Sequence, residues 1–331
     1  MSLPPAVVVG ASAGGVQALF ELTAALPSDF PAVMAIVLHV GNQRSMLPAL
    51  INRRSANPAV HPRDGEVPQP GKIYVAPPDH HMLLHPDGIR LNRGPRENHS
   101  RPAIDPLFRT AAIGWRARAI GVVLTGSLDD GTAGLAAIKA CGGTAIVQDP
   151  STATEPSMPA SALANVQVDH CLPLAQIPAV IEQLVGRMPA ALPGTAPPDR
   201  LLQEQSVFEG TGAEAARQLE ALGKRSQLTC PECGGTLWEL DQKRPLGYRC
   251  HTGHAFSAGS LDVAQFEAVD QSLASSLRLL REREMLLRRL AAVAEAAGET
   301  VQAEAGRSAA DRVAEQSRLL QQLILSQSAS A

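Results

Sequence analysis

Residues 7–15, VVVGASAGG, decide the fold, because they join a buried strand to a glycine-rich turn. Three consecutive valines favour a strand that is covered on both faces. The small residues after them permit a sharp turn, and residues 15–26, GVQALFELTAAL, have the apolar spacing of a helix. A strand that leads through such a turn into a helix is the first unit of an α/β fold.

The same alternation continues through the first half of the chain. Strands are predicted at residues 6–10, 32–40, 72–77, 119–126 and 143–148, and helices at 15–26, 105–115, 132–141 and 174–188. Short apolar runs that alternate with helices predict the α/β class, a doubly wound and mostly parallel sheet. Residues 80–94, HHMLLHPDGIRLNRG, differ, because Pro-Asp-Gly between two strand-like arms predicts an antiparallel hairpin.

Composition limits the class of protein. The chain has 331 residues, of which 45% are hydrophobic, so it has room for about two domains with sizeable cores. A net charge of −3 gives no general attraction to nucleic acid or to an anionic membrane. No apolar run reaches the about 18 residues that a membrane helix needs, and no secretion signal is recognisable. We therefore expect a cytoplasmic protein that binds no nucleic acid and does not insert into a membrane.

The sequence predicts four parts. Residues 1–190 contain the strand and helix alternation, and residues 191–205 begin with a Pro- and Ala-rich run that predicts a linker. Residues 206–260 contain a short helix, predicted at 212–227, and three of the five cysteines. Residues 261–331 are rich in Ala, Leu, Glu, Gln and Arg and have leucines at helical spacing, which predicts a helical tail.

The turn after the first strand has three possible roles. A dinucleotide-binding turn would carry a glycine where Ser12 stands and an acid at the end of the second strand, where His39 stands. A purely structural turn would need only small residues. The third role is a nucleophile turn, because residues 10–14, GASAG, fit the pattern GxSxG that exposes a serine hydroxyl.

A serine nucleophile needs a base, and the base needs an acid that orients it. His39 ends the second predicted strand, and Asp129 and Asp130 follow the strand at 119–126. In an open parallel sheet, ligands bind outside the carboxyl ends of the strands, where these residues lie. The order Ser, His, Asp differs from the Ser, Asp, His of an α/β-hydrolase, so an ordinary member of that class is not expected.

Four motifs together resemble the catalytic domain of the chemotaxis protein-glutamate methylesterases, the CheB family. They are VVVGASAGGVQAL, IVLHV, RPAIDPLFRTAA and VVLTGSLDDGTAGL, and the similarity covers about residues 6–187. The resemblance implies that Ser12 is the nucleophile, His39 the general base and Asp130 the orienting acid. It also implies demethylation of glutamate methyl esters on chemoreceptor-type proteins and, as in many members, deamidation of receptor glutamines.

Two positions depart from the family pattern, which usually has Thr after the nucleophile and Met in its TGM motif. This chain has Ala13 and Ser127 there. We expect the backbone N–H groups of Ala13 and Ser127 to hold the oxyanion, a contribution that either change preserves. Typical members also have an N-terminal receiver domain, but the nucleophile here is residue 12, so we expect either an unregulated enzyme or control from elsewhere.

The cysteine-rich segment has the spacing of a structural zinc site. Cys230 and Cys233 form a CxxC pair, Cys250 follows, and His254 comes four residues after it. Four such ligands leave no open coordination position, so we predict structural zinc in a zinc-ribbon-like module and no cofactor for catalysis. His251 is a rival for the fourth ligand.

The sequence therefore supports a serine esterase acting on protein glutamate methyl esters. The C-terminal extension is a candidate binding site for a methyltransferase or another regulator. The alternative is a non-catalytic signalling scaffold that is built on a degenerate esterase core.

Overall fold

The structure is a computed structural model, and it describes residues 3–40, 44–188, 196–210, 212–241 and 245–328. The chain divides into two compact units, Met1–Leu261 and Asp262–Ala331.

A parallel sheet organises the first unit. In chain order its strands and those of a separate hairpin are β1 (Ala6–Ala11), β2 (Val33–Leu38), β3 (Ala59–Val60), β4 (Ile73–Val75), β5 (His81–His85), β6 (Gly88–Asn92), β7 (Ala119–Val123), β8 (Thr144–Gln148) and β9 (His170–Leu172). Seven of them form the sheet in the order β3-β4-β2-β1-β7-β8-β9, and every neighbouring pair is parallel. The remaining two, β5 and β6, pair as an antiparallel hairpin. The predicted α/β class and the predicted hairpin are both confirmed.

Helices cover both faces of the sheet. They are α1 (Gly15–Ala24), α2 (Leu47–Ile51), α3 (Ile104–Trp115), α4 (Thr132–Ala140), α5 (Ser157–Asn165) and α6 (Ile177–Arg187). The alternation of side chains along a strand divides the core in two. In β1, Val8 packs in the same cluster as Phe108 of α3, whereas Val7 and Val9 pack with Leu19 of α1.

The order of the strands creates a switch point beside β1. From β1 the chain adds β2 on one side, and it later returns to add β7 on the other side. The loops that follow β1 and β7 therefore leave the sheet in opposite directions and open a crevice between them. The sequence did not predict the short strands β3 and β9 or the helices α2 and α5.

The predicted linker at 191–205 needs correction. Residues 191–195 lie outside the described residues, but Asp199–Glu209 form a helix, α7. The sequence DRLLQEQSVFE alternates apolar and polar residues irregularly, and it directly follows a Pro-rich run. The pattern therefore indicated a linker and not a helix. A second helix, α8 (Gly212–Leu222), ends earlier than predicted, because the chain continues directly into a strand.

Residues 223–261, which we call the cysteine module, contain a four-stranded antiparallel sheet. Its strands β10 (Gly223–Thr229), β11 (Thr236–Leu240), β12 (Gly247–Cys250) and β13 (Ala255–Ser257) pair in sequential order. Trp238 of β11 and Leu219 of α8 share a small apolar cluster with Val207 of α7. The cysteine module and residues 1–222 belong to one compact unit, although the sequence predicted separate parts.

The second unit, residues 262–331, is the helical tail. Helix α9 (Ala258–Ala296) begins in the first unit and continues into the tail, and α10 (Thr300–Ser328) follows after a turn. Ion pairs from Arg288 to Asp311 (3.1 Å) and from Arg307 to Glu295 (3.0 Å) show that the two helices run antiparallel. Within the described part of the chain, no helix combines the length and apolar character needed to cross a membrane.

Candidate active site

Ser12 lies directly after β1, in the crevice beside the switch point. Its backbone N–H donates to the carbonyl of Thr125 (3.0 Å), and its own carbonyl accepts from the N–H of Gly15 (2.9 Å). Between them, Gly14 has a φ of +75°. A Cβ at Gly14 would lie 2.6 Å from the Cβ of Thr154, so both the conformation and the space require glycine. The turn therefore fixes the serine hydroxyl at the start of α1.

His39 follows β2, the strand next to β1, and reaches Ser12 from that side. Its Nδ1 lies 3.1 Å from the Oγ of Ser12, and its Nε2 lies 2.8 Å from the Oδ2 of Asp130. The structure thus places Ser12, His39 and Asp130 in one hydrogen-bonded row. The side chain of His39 is 17% exposed and that of Asp130 is 3% exposed, so the row runs from the edge of the crevice into the protein.

Asp130 is held by donors from three directions. The backbone N–H groups of Ile104 (2.6 Å) and Asp105 (3.2 Å), at the N-terminus of α3, donate to its carboxylate. The N–H of Gly131 (3.0 Å) and the side-chain amide of Asn98 (3.0 Å) also donate to it. A helix N-terminus stabilises negative charge, and every one of these donors favours the ionised carboxylate.

Electrostatics keep this carboxylate charged despite its burial. Burial is the largest influence on Asp130 and opposes ionisation, but the hydrogen bond and charge of His39 and the surrounding donors lower its pKa below the ordinary value. Burial and the charge of Asp130 raise the pKa of the neighbouring Asp105 well above its usual range. The pair therefore carries its negative charge on Asp130, next to the imidazole.

This arrangement can carry out general base chemistry. An ionised Asp130 accepts the Nε2–H of His39, which fixes the tautomer whose Nδ1 is free to accept a proton. That nitrogen faces the Ser12 hydroxyl at 3.1 Å, a distance from which it can take the serine proton.

The predicted oxyanion donors lie next to the nucleophile. Ala13 is exposed at the start of α1, and Ser127 is exposed in the loop after β7. Neither backbone N–H donates a hydrogen bond to any residue that the structure describes. Both remain available to a substrate, and the dipole of α1 adds positive potential near Ala13.

Asp129, the alternative acid, does not join the row. Burial, its largest influence, raises the pKa of Asp129. A Cβ at Gly259 would lie 3.4 Å from its Oδ2, so the side chain faces the cysteine module. Its Oδ1 is buried and has no partner among the described residues.

A cavity of about 230 Å³ opens next to His39. It is lined by His39, Asp79, Arg96, His99, Ser100, Arg101 and Pro102. Arg101 is held by hydrogen bonds to Asp79 (2.6 and 2.8 Å), whereas the side chain of Arg96 is 48% exposed. Glu232 lies 3.8 Å from Arg96 and 3.3 Å from His99, so the cavity beside the base contains arginines that are paired with carboxylates.

Sequence reasoning missed the residues behind Asp130. Asn98 touches Asp130, and the buried Glu97 binds Arg109 of α3 (3.0 Å) and Arg249 of β12 (2.7 Å). Glu97 and Asn98 lie in an irregular segment, and Arg249 stands within the cysteine pattern, so no local periodicity pointed to them.

The four predicted metal ligands converge in the cysteine module. The ligand atoms of Cys230, Cys233, Cys250 and His254 all lie within 4.8 Å of one another. The Sγ atoms of Cys233 and Cys250 are 3.7 Å apart, and the Nδ1 of His254 lies 3.7 Å from the Sγ of Cys230 and 3.5 Å from that of Cys250. In tetrahedral zinc coordination, ligand atoms are about 3.8 Å apart for two sulfurs and about 3.5 Å apart for sulfur and nitrogen.

The same geometry separates the two candidate histidines. His254 belongs to this ligand group, and His251 does not. The hydrogen bond between Cys230 and Cys250, the largest influence on both, lowers the pKa of the Cys250 thiol and raises that of the Cys230 thiol, so the pair readily gives one thiolate. A thiolate is the form that binds a metal.

The fold and the row of side chains define an α/β protein with a Ser-His-Asp triad at its switch point. A sequence model of the CheB methylesterase family matches residues 7–181. The chain belongs to this family.

Curated relatives and a solved structure agree with this assignment. A protein-glutamate methylesterase/protein-glutamine glutaminase of Burkholderia lata is 40% identical over 187 residues, 56% of this chain and 54% of the relative. A Leptospira interrogans protein that carries the same enzyme name provisionally is 40% identical over 174 residues, 52% of this chain and 90% of that protein. The crystal structure of the Thermotoga maritima CheB methylesterase catalytic domain is 32% identical with a TM-score of 0.52, and the match covers 56% of this chain and 99% of that domain. This chain thus spans about half the length of the Burkholderia relative.

Proposed function

We propose that this protein hydrolyses glutamate methyl esters on chemoreceptor-type proteins. The observation that carries this proposal is the hydrogen-bonded row of Ser12, His39 and Asp130. The names of the curated relatives supply the substrate class, since they are protein-glutamate methylesterases and protein-glutamine glutaminases.

The reaction follows from the geometry in two halves. The Oγ of Ser12 attacks the ester carbonyl while the Nδ1 of His39 takes its proton, and the N–H groups of Ala13 and Ser127 hold the oxyanion. The C–O bond to the methoxy group then breaks, and His39 returns the proton so that methanol leaves. Water, deprotonated by His39, attacks the glutamyl-serine ester, which releases glutamate and restores Ser12. A receptor glutamine reacts in the same way, with ammonia as the leaving group.

The role of Asp130 is electrostatic. The imidazolium that forms when His39 accepts a proton lies 2.8 Å from the Asp130 carboxylate. Because that carboxylate is already ionised and held by fixed donors, it needs no rearrangement to stabilise the new charge.

The cavity beside His39 offers the substrate protein an exposed arginine. Arg96 is 48% exposed and lies 3.8 Å from Glu232, so carboxylates that flank the methylated glutamate would compete with Glu232 for its guanidinium. The substitutions at positions 13 and 127 leave the backbone donors in place and change the side chains that meet the substrate.

The cysteine module holds a structural zinc ion in this proposal. Three thiolates and one imidazole are a usual zinc ligand set, and the distances between their ligand atoms fit tetrahedral coordination. With four protein ligands the metal would crosslink the turns after β10 and β12 and take no part in the ester chemistry. Such free cysteines suit a reducing compartment, so we place the protein in the cytoplasm. The C-terminal extension stays a predicted binding site for a methyltransferase or another regulator.

Methanol release from a methylated receptor fragment tests the proposal. The full-length protein should release methanol, and Ser12→Ala and His39→Ala should each lower the rate by about 10⁴-fold or more. Ser161→Ala removes a half-buried hydroxyl elsewhere in the same domain and serves as the control. Equal rates for wild type and Ser12→Ala would contradict the proposal and would favour the scaffold alternative.

A further inference from the structure

Asn98 joins the catalytic carboxylate to the cysteine module. Its side-chain Nδ2 donates to Asp130 (3.0 Å) and to Asp105 (2.9 Å). Its side-chain Oδ1 accepts from the backbone N–H of Ser257 (3.0 Å) and from the hydroxyl of Ser260 (2.9 Å). Rotation of the amide by 180° would place its NH₂ against two donors and its oxygen against two carboxylates. The two serines therefore determine which end of the amide faces Asp130.

The backbone of the cysteine module holds the same segment. The N–H of Asn98 donates to the carbonyl of Ala255 (2.8 Å), and the N–H of Ala255 donates to the carbonyl of Arg96 (3.2 Å). Asn98 has a φ of +49°, a conformation that asparagine tolerates better than most residues but that still needs support. Strand β13 supplies that support by pairing with this segment.

A buried charge cluster also holds residues 97 and 98, which form the junction between the α/β domain and the cysteine module. Arg249 of the cysteine module is 1% exposed and binds Glu97, the residue before Asn98, at 2.7 Å. Arg109 binds the same carboxylate at 3.0 Å. Because a buried ion pair is costly to break, residues 97 and 98 are held against the module.

The metal ligands lie close to these contacts along the chain. His254 immediately precedes Ala255 and lies three residues before Ser257. The carbonyl of His254 accepts from the N–H of Cys250 (2.9 Å), which closes the turn between β12 and β13. The turn that carries two of the four ligands thus leads directly into the residues that hold Asn98.

We propose that Ser257 and Ser260 position the catalytic acid through Asn98, so that the cysteine module is an integral part of the esterase site. Asn98 acts as a positioning residue, since it touches Asp130 and neither the nucleophile nor the base. This inference rests on the proposed function. It also gives the C-terminal extension a task within the same chain, independent of any external partner.

Two variants of graded severity test the inference in the full-length protein. Asn98→Ala removes the amide donor from the ionised Asp130 and should lower kcat by roughly 10- to 100-fold, the range for a hydrogen bond to a charged group. Ser260→Ala leaves Asn98 in place but removes one donor from its Oδ1, and it should lower kcat by about 3- to 10-fold. The KM should stay within about twofold in both, because neither side chain lies on the substrate side of the row. Ser226→Ala is the matched control, because its hydroxyl bonds a backbone carbonyl of the same module and does not touch Asn98.

A pH profile separates positioning from simple stabilisation. Removing a donor from the Asp130 carboxylate makes the His39–Asp130 pair hold its proton more tightly, so the acid limb of kcat should move to higher pH in Asn98→Ala and, less so, in Ser260→Ala. A module that only stabilises the fold would lower the unfolding midpoint and leave kcat and the acid limb of the folded protein unchanged. That result would overturn the inference.

Two readouts do not depend on the proposed substrate. The rate at which a fluorophosphonate labels Ser12 should fall in the same order as kcat. The low-field proton NMR signal of the Nε2–H between His39 and Asp130 should shift or broaden in both variants and remain unchanged in Ser226→Ala. If wild type releases no methanol yet these readouts change as stated, the proposed function fails and the inference stands. If methanol release is normal and both readouts match wild type in the variants, the inference fails and the function stands.

Discussion

Arg249→Met should destabilise the first unit by about 3 kcal/mol. The Arg249 side chain is 1% exposed, and its guanidinium binds Glu97 (2.7 Å) and the carbonyl of Gly253 (3.0 Å). Removal of one partner from a buried pair costs about 3–5 kcal/mol, because the other charge stays buried. Two features favour the low end of that range. Arg109 keeps both of its contacts with Glu97, and the Nε of Arg249 is already buried without a partner among the described residues.

Urea unfolding monitored by tryptophan fluorescence measures this change. The only two tryptophans of the chain, Trp115 in α3 and Trp238 in β11, both lie in the first unit, so the signal reports on the α/β domain and on the cysteine module. Arg225→Met is the control in the same module. The Arg225 side chain is 66% exposed, pairs with Glu220 and lies over the Trp238 ring (5.3 Å to the ring centre), so its loss should cost at most about 1 kcal/mol, and circular dichroism checks the midpoint independently of Trp238. Equal, small losses for both variants at pH 7 would refute the assignment of the buried cluster as the junction.

The pH dependence of the stability difference between wild type and Arg249→Met gives a second check. Burial is the largest influence on Glu97 and opposes its ionisation, but Arg109 and Arg249 lower its pKa from 4.5 to about 2. A lowered pKa contributes stability that is present above pH 4.5 and is lost as the pH falls through about 2. Without Arg249 the pKa of Glu97 rises, so the free energy of unfolding of the variant falls less on acidification than that of wild type. The difference in free energy of unfolding between wild type and Arg249→Met should therefore become smaller as the pH falls from 4.5 toward 2. A difference that stays constant would contradict the argument.

Three further outcomes are expected. Asp130→Asn should lower kcat by about 10⁴-fold with the protein still folded, as measured by methanol release and circular dichroism, because a neutral amide cannot stabilise the imidazolium. Wild type should bind about one equivalent of zinc, as measured by atomic emission, and Cys233→Ser should bind far less. The control Cys171→Ser, which removes an exposed thiol elsewhere, should keep the zinc content of wild type. Gly126→Ala would place a Cβ 2.8 Å from the Cβ of Ser12 and should lower kcat by about 10²-fold. The control Gly186→Ala lies in α6, where a Cβ meets no atom within 4 Å, and should leave kcat unchanged.

Parallel-sheet topology predicts where the triad lies, and the resemblance to the CheB family selected Asp130 over Asp129. Ser12 and His39 follow the neighbouring strands β1 and β2, and Asp130 follows β7 on the other side of β1. The carboxyl ends of parallel strands share one edge of the sheet, so residues distant in sequence converge there. The metal ligands were equally visible, because CxxC and CxxxH fix the distances within each half of a tetrahedral site.

The support behind the triad was not predictable in the same way. Asn98 lies in an irregular segment with positive φ, and its partners Ser257 and Ser260 are about 160 residues away, so neither periodicity nor spacing indicates the contact. Arg249 stands next to a metal ligand, where the cysteine pattern accounts for the local sequence. Only the folded chain shows that its guanidinium turns away from the metal site and toward Glu97.

Peptide mapping after fluorophosphonate treatment tests most directly whether the hydrogen-bonded row makes Ser12 a nucleophile. We predict a single modified serine, Ser12, in wild type, and no modification on the same time scale in His39→Ala. An adduct on another serine, or equal labelling of Ser12 without the imidazole, would contradict the account.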